Sequence, residues 1–308
     1  MDTPCERPIA IIGAGPAGCA AALTLRRYVP ELPVVLITLP APVCPATPAV
    51  GETLSPGVLP LLSYLGVHED FLRVGHLPAE GTASAWGSEQ VFERSYLFTG
   101  RGVGWHLDRS RFDAWLLACA EAAGAHCVRA RATRVTRADG RWDIECDGGN
   151  ALVAGTMIDA TGRAAWLARR QGSRPQRHDA LVAEARWYMH DQPERSAAGA
   201  LIEAVPDGWW YSATLPSQRG VVMRMTDTDL RHRTTWEEQL AVAPATRARL
   251  VSWRPTGATT VRAANSQQSP IIVGAGWVAA GDAALAFDPL SSLGIGFALR
   301  SGMEAARV

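Results

Sequence analysis

The apolar positions of the first forty residues change their period twice. Ile9 to Ile12 is an unbroken apolar run, Ala17 to Arg27 has helical composition, and Val34 to Ile37 is apolar again. Strand, helix, strand in that order predicts a βαβ unit with parallel strands. Between the first strand and the helix stand Gly13, Gly15 and Gly18, spaced as G-x-G-x-x-G, with Ala17 inside the same turn. The first glycine permits a tight turn, the second lets phosphate approach the backbone, and the third lets helix pack on strand. Free amides at the helix start would then face a pyrophosphate. The second strand ends on Thr38, where the dinucleotide pattern asks for an acidic side chain on the adenosine ribose. A threonine hydroxyl cannot accept two hydrogen bonds from the ribose as a carboxylate does, which predicts a loosely held dinucleotide.

Further along, a proline-rich loop leads into "VGETLSPGVLPLLSYLGV", where Leu59, Leu62 and Leu65 predict a short amphipathic helix. From about Gly75 to Gly104 glycines and aromatics alternate, as strands of a different sheet would. "DRSRFDAWLLACAEAAGA" predicts a strong helix, capped by Asp108 or Ser110 and ended by Gly124. "RVTRADGRWDIECDGGNALVAGTMIDATGR" reads as hairpin-linked strands, with Asp-Gly and Gly-Gly supplying the turns. The Trp-rich, β-branched stretch from Ser173 to Ala264 reads as a second domain, after which strand, loop and helix return.

The expected fold class is therefore α/β. A discontinuous Rossmann-like dinucleotide domain (1–75, 105–172 and 270–308) is interrupted by a substrate domain built on a mixed or antiparallel sheet (76–104 and 173–269). The last helical pattern reaches Val308 without a capping residue, which predicts a C-terminal continuation.

Composition narrows the partners. The 308 residues are 47% hydrophobic, and thirty basic residues balance thirty acidic ones. A neutral chain without charge runs gives no electrostatic reason to expect nucleic acid or an anionic membrane. No stretch of about 18 apolar residues and no basic leader occur, so a cytoplasmic protein is expected. Six cysteines form no C-x-x-C pair and seven histidines show no ligand spacing, so no metal is expected. All thirty basic residues are arginine. The absence of lysine removes any mechanism that needs its amine.

"IIGAGPAG", "VGETLSP", "HLDRSRFDAWL", "DATGR" and "GDAALAFDPLSSLGIGFAL" occur in the order found in flavoprotein aromatic hydroxylases and flavin-dependent halogenases. The chain resembles that superfamily along most of its length, and the resemblance implies FAD. It implies Arg109, in R-x-x-F-D-x-x-L, near the flavin pyrophosphate, where a guanidinium suits two phosphate oxygens. It places Glu52 in a loop reaching toward the cofactor, and Gly281 with Asp282 at the ribityl chain. Pro289 would lie beside the isoalloxazine ring. Gly294 and Ile295, followed by Gly296, would aim backbone N–H groups at the flavin pyrimidine edge.

"PDGWWYSATLP" is the candidate substrate wall. Strand alternation puts Trp209 and Tyr211 on one face and Trp210 on the other, so either face could line a pocket while the other joins the core. No catalytic acid or base is identified among these residues.

Halogenases resemble the chain in "VGET" and in the Trp-rich stretch, but they are known for an active-site lysine, and none exists here. Within the superfamily the chain resembles the monooxygenases that mature tryptophylquinone cofactors, a likeness carried by "GETLSPGVLPLL", "DRSRFDAWLLACAEAAGA", "GWWYSATLP" and "FDPLSSLGIGFAL". It implies hydroxylation of the indole of a tryptophan within a protein or peptide, through a flavin C4a-hydroperoxide, with NAD(P)H and O2 as co-substrates. Two rival readings stand beside it: a hydroxylase of a small aromatic metabolite, and a flavin-fold protein that binds without turnover.

Overall fold

Strands rich in Ile, Val and Leu on both faces need cover on both sides, and here they meet in one sheet. The computed structural model describes residues 7–40, 50, 53–88, 90–100, 102–190, 199–231 and 235–307. Ile9–Ile12 lies at the centre of a six-stranded sheet. Val34–Thr38 and then His126–Arg129 lie on one side of it, Thr156–Asp159 and then Trp277–Ala279 on the other, all parallel. Val273–Gly274 adds an antiparallel edge.

One face packs Ile11 and Leu36 against the helices Pro16–Tyr28, Arg109–Ala122 and Gly294–Ala305, which contribute Leu25, Phe112, Leu116 and Leu299. The other face is covered by a hairpin sheet carrying Trp142 and Ile144, and by Leu167 of the short helix Trp166–Arg170. The first and last helices cross so closely that a Cβ at Gly302 would sit 2.1 Å from the carbonyl oxygen of Ala17. Asp108 caps its helix by accepting the Arg111 N–H at 3.1 Å, and the chain turns away through Gly124 at φ +95°.

The hairpin series ends one strand earlier than its sequence suggests. Ala132–Ala138, Arg141–Cys146 and Ala151–Ala154 pair antiparallel, whereas Thr156–Asp159 joins the parallel sheet because Met157 and Ile158 bury both of its faces. Its last residue pins the following loop. The fully buried Asp159 carboxylate accepts N–H groups from Thr161, Leu167 and Ala168 and the Thr161 hydroxyl, at 2.6 to 3.1 Å. Replacing Asp159 by alanine strands these buried donors, so chemical denaturation should show a loss of about 3 kcal/mol or more. Asp159→Asn keeps one acceptor oxygen and should lose less.

A second, eight-stranded sheet draws on residues 81–95 and 181–263. Its order is Trp253–Pro255, Leu181–His190, Arg219–Asp227, Gly208–Leu215, Ala200–Val205, Gly81–Ala85 and Phe92–Ser95, with Thr260–Ala263 also paired to Leu181–His190. Cross-strand register fixes its two faces. Trp209 stands opposite Met225 and Tyr211 opposite Met223, while between them Trp210 stands opposite Arg224. Thr53–Leu54, Gly104–His106 and Leu77–Ala79 form a separate small sheet. Among the described residues no helix is long and apolar enough to cross a membrane.

Candidate functional site

The three glycines of the first turn do different work. Gly13 has φ +103°, and a Cβ there would lie 2.2 Å from the Ala160 carbonyl oxygen. A Cβ at Gly18 would lie 1.9 Å from the carbonyl oxygen of Gly13. Both positions are closed by backbone, so both glycines serve packing. Gly15 is open: a Cβ there would meet nothing within 4 Å, and the residue faces a cavity of about 330 Å³.

Two helices begin at this cavity. Gly15, Pro16 and Ala17 line it at the start of the first helix, Gly294 and Ile295 at the start of the last. Neither helix has a side-chain cap, and Gly294 too has open space where a Cβ would stand. Uncapped N-termini present free N–H groups and partial positive charge, the arrangement that binds phosphates and other anions.

Charged side chains ring the same space. The Arg109 Nη2 donates to both Asp113 carboxylate oxygens, at 3.1 and 3.2 Å, and its Nη1 donates to the Val50 carbonyl at 2.7 Å. The pair explains the R-x-x-F-D spacing: Arg109 and Asp113 stand one helical turn apart. Arg163 and Arg262 also line the cavity, and Arg163 lies 3.6 Å from Asp282. Burial raises the Asp282 carboxyl above the ordinary range, against the pull of Arg163 and Arg109. Gly281 precedes it in the left-handed region at φ +60°, and its N–H donates to Ser301 Oγ at 2.8 Å.

The opposite wall is apolar and aromatic. Trp209, Tyr211, Met223, Met225 and Ala183 line it from one face of the large sheet. The Tyr211 hydroxyl lies 2.5 Å from Thr53 Oγ. Trp210, a candidate for this wall, does not reach it. Alternation turns its indole to the other face, where it is fully buried and meets Trp236 edge-on at 4.7 Å.

The fold thus gathers Gly15, Ala17, Arg109, Gly281, Asp282, Pro289, Gly294, Ile295, Trp209 and Tyr211 around one cavity. Gly13 and Gly18 shape its turn without lining it. Thr38 ends its strand opposite Arg129, outside the lining, and Glu52 lies outside the described residues. Thr53, Arg163, Arg262, Met223 and Met225 were not singled out from the sequence. The two methionines carried a signal in the alternation of "VVMRMTD" opposite "GWWYSATL", whereas Arg262 carried none. Burial pushes the Cys19 thiol far up and Cys119 to about 11, so neither behaves as a thiolate nucleophile. No group of His, Cys, Asp and Glu suited to a metal occurs among the described residues.

Open backbone amides, a half-buried carboxylate and an apolar wall suit the phosphates, hydroxyls and ring of a flavin nucleotide. No protein-family model matches the chain. It is 30% identical over 310 residues to LodB of Marinomonas mediterranea, named an FAD-dependent oxidoreductase, covering 96% of this chain and 83% of that protein. It is 25% identical over 334 residues to a tryptophan 2-halogenase of Chondromyces crocatus, covering 99% of this chain and 61% of that enzyme. Among solved structures, the flavin-dependent brominase Bmp2 superposes with TM-score 0.84 at 21% identity, over 98% of this chain and 78% of that one. The peptidyl tryptophan dihydroxylase QhpG, essential for tryptophylquinone cofactor biogenesis, superposes with TM-score 0.72 at 28% identity, over 98% of this chain and 66% of that one. The chain belongs to the family of FAD-dependent oxidoreductases that includes LodB and is related to the flavin-dependent halogenases, and FAD is its cofactor.

Proposed function

We propose that the protein is a monooxygenase that hydroxylates the indole ring of a tryptophan held in a protein or peptide, during maturation of a quinone cofactor. The observation that carries this reading is the wall of Trp209, Tyr211, Met223 and Met225 lining the same cavity as the N-terminus of the last helix, together with 28% identity to a peptidyl tryptophan dihydroxylase. In domain terms, 1–75, 105–172 and 270–308 would form a discontinuous Rossmann-like FAD domain, and 76–104 with 173–269 the substrate domain.

The overall reaction converts an aromatic C–H to C–OH, with O2, NAD(P)H and a proton giving water and NAD(P)+. FAD, once reduced, supplies the activation of dioxygen. The chain's own residues do the rest. The amides at Gly15 and Ala17 would hold the pyrophosphate, with Arg109 beside it. Asp282 would accept hydrogen bonds from ribityl hydroxyls. Gly294 and Ile295 would offer N–H groups and helix charge to the ring edge where negative charge builds on reduction. Trp209 and the two methionines would exclude water and hold an electron-rich ring flat against the cofactor.

Halogenation is the second reading, favoured by the halogenase relative. With no lysine in the chain, the cavity's cations among the described residues are the guanidinium groups of Arg109, Arg163 and Arg262. A route through a lysine amine is therefore closed. Oxygen-dependent NAD(P)H oxidation tests the substrate class: a tryptophan-containing peptide should stimulate it, and free tryptophan or simple phenols should not. Equal stimulation by free tryptophan would point to a small-molecule hydroxylase, and no oxidation at all to a binding protein.

A further inference from the structure

A hydrogen-bonded chain leaves the cavity behind the aromatic wall. Tyr211 Oη lies 2.5 Å from Thr53 Oγ, which lies 3.3 Å from His106 Nδ1. Three distant segments meet there. Thr53 and His106 are register partners in the small sheet, and Tyr211 reaches them from the large one. Tyr211 and Thr53 line the cavity, whereas His106 is buried. Each hydroxyl can donate and accept, so the three groups make an unbroken path for a proton.

We propose that Tyr211, Thr53 and His106 form a proton relay that removes the hydrogen which the aromatic carbon gives up when oxygen is attached. The proposal rests on the hydroxylase reading. When the C–O bond forms, the attacked carbon still carries its hydrogen and the ring is cationic. The C–H bond then breaks, its electron pair restores aromaticity, and the proton passes to Tyr211 Oη. Tyr211 gives its own proton to Thr53 Oγ, and Thr53 gives its own to His106 Nδ1. Both hydroxyls are regenerated and the charge ends on the imidazole. The oxygen atom and the oxidising power come from O2, and the two electrons of reduced FAD take the second oxygen atom to water.

The surroundings suit a transient acceptor. Burial, and then the Arg249 guanidinium, hold the His106 imidazole down to about 4, so near neutral pH one ring nitrogen is free to accept. Arg249 is the charged group facing it, and Tyr211 is the titratable group at the other end. Repulsion from Arg249 returns the proton through Thr53 and Tyr211 to water in the cavity once product has left, so the imidazole resets between turnovers. Below about pH 4 the imidazolium has no free nitrogen and the relay closes. In this assignment Tyr211 is the catalytic residue, and Thr53 and His106 act through it.

The test uses the FAD-loaded protein and a tryptophan peptide deuterated on the indole carbons. In the wild type, loss of the ring hydrogen is fast and no isotope effect on kcat is expected. Thr53→Val, close in shape, cuts the path: kcat should fall about 100-fold, KM should hold, and a primary isotope effect should appear. Thr53→Ser should restore both. If the wild type hydroxylates the peptide and Thr53→Val shows no isotope effect, the relay alone is overturned and the hydroxylase reading stands. If the wild type adds no oxygen, that reading fails and the relay falls with it. A second readout needs no turnover: the His106 ring-nitrogen resonance should shift in both Thr53→Val and Tyr211→Phe, and an unchanged resonance would overturn the chain itself.

Discussion

A Gly15→Val variant is expected to fold as the wild type does and to lose FAD. The backbone at Gly15 is extended, with φ −75° and ψ −175°, which a β-branched residue before a proline adopts readily. A Cβ there meets no protein atom within 4 Å. The added side chain therefore costs the free protein little and occupies the space where a phosphate would meet the amides at the helix start. Flavin titration should show Kd raised by at least about 100-fold, or about 2.7 kcal/mol. Thermal unfolding without FAD should be unchanged. Gly18→Val reverses the pattern, because its Cβ would lie 1.9 Å from the Gly13 carbonyl oxygen. That variant should lose about 3 kcal/mol or more of stability through overpacking. Two glycines three residues apart should thus fail in different assays.

The adjacent tryptophans give the second contrast. Trp210 is fully buried behind the large sheet, edge-on to Trp236 and clustered with Tyr188, Val222 and Trp253. Trp210→Ala should cost about 3–5 kcal/mol of stability through the cavity it leaves. Trp209 faces the cavity in front of the sheet. Trp209→Ala should lower kcat/KM for the peptide by about 100-fold, since the ring it positions would no longer lie in line for oxygen transfer. FAD reduction should continue in that variant, with reduced flavin consumed unproductively. Urea denaturation and coupled turnover measure the two effects separately, and a Trp210→Ala variant that kept its stability but lost peptide turnover would contradict the assignment of faces.

Local patterns in the sequence carried much of the fold. The βαβ start, the capped helix after Asp108 and the alternation in "GWWYSATL" follow from period and turn chemistry that act over a few residues. What the pattern left open was set by distant contacts. Thr156–Asp159 resembles the last strand of a hairpin series, yet both its faces are buried, and only the neighbouring Ile9–Ile12 and Trp277–Ala279 strands decide its sheet. Alternation separated Trp209 from Trp210 but could not say which face was the cavity, because that depends on where the helix Trp236–Ala241 packs.

The site divided in the same way. Its glycine loops were legible because open backbone beside a phosphate needs glycine at particular spacings. Arg262 and the Thr53–His106 contact were not, since a lone arginine or histidine has no local signature. They acquire a role only when distant strands pair in register, Thr53 with His106 and Arg262 with Ala183.

The central claim is that this cavity directs oxygen onto an indole ring. Its most direct test is the product mass from a tryptophan peptide incubated with the protein, FAD, NADH and isotopically heavy dioxygen, with bromide present throughout. The account predicts a gain of one or two heavy oxygen atoms on the tryptophan and no bromine. A brominated peptide, or oxygen drawn from water rather than from dioxygen, would contradict it.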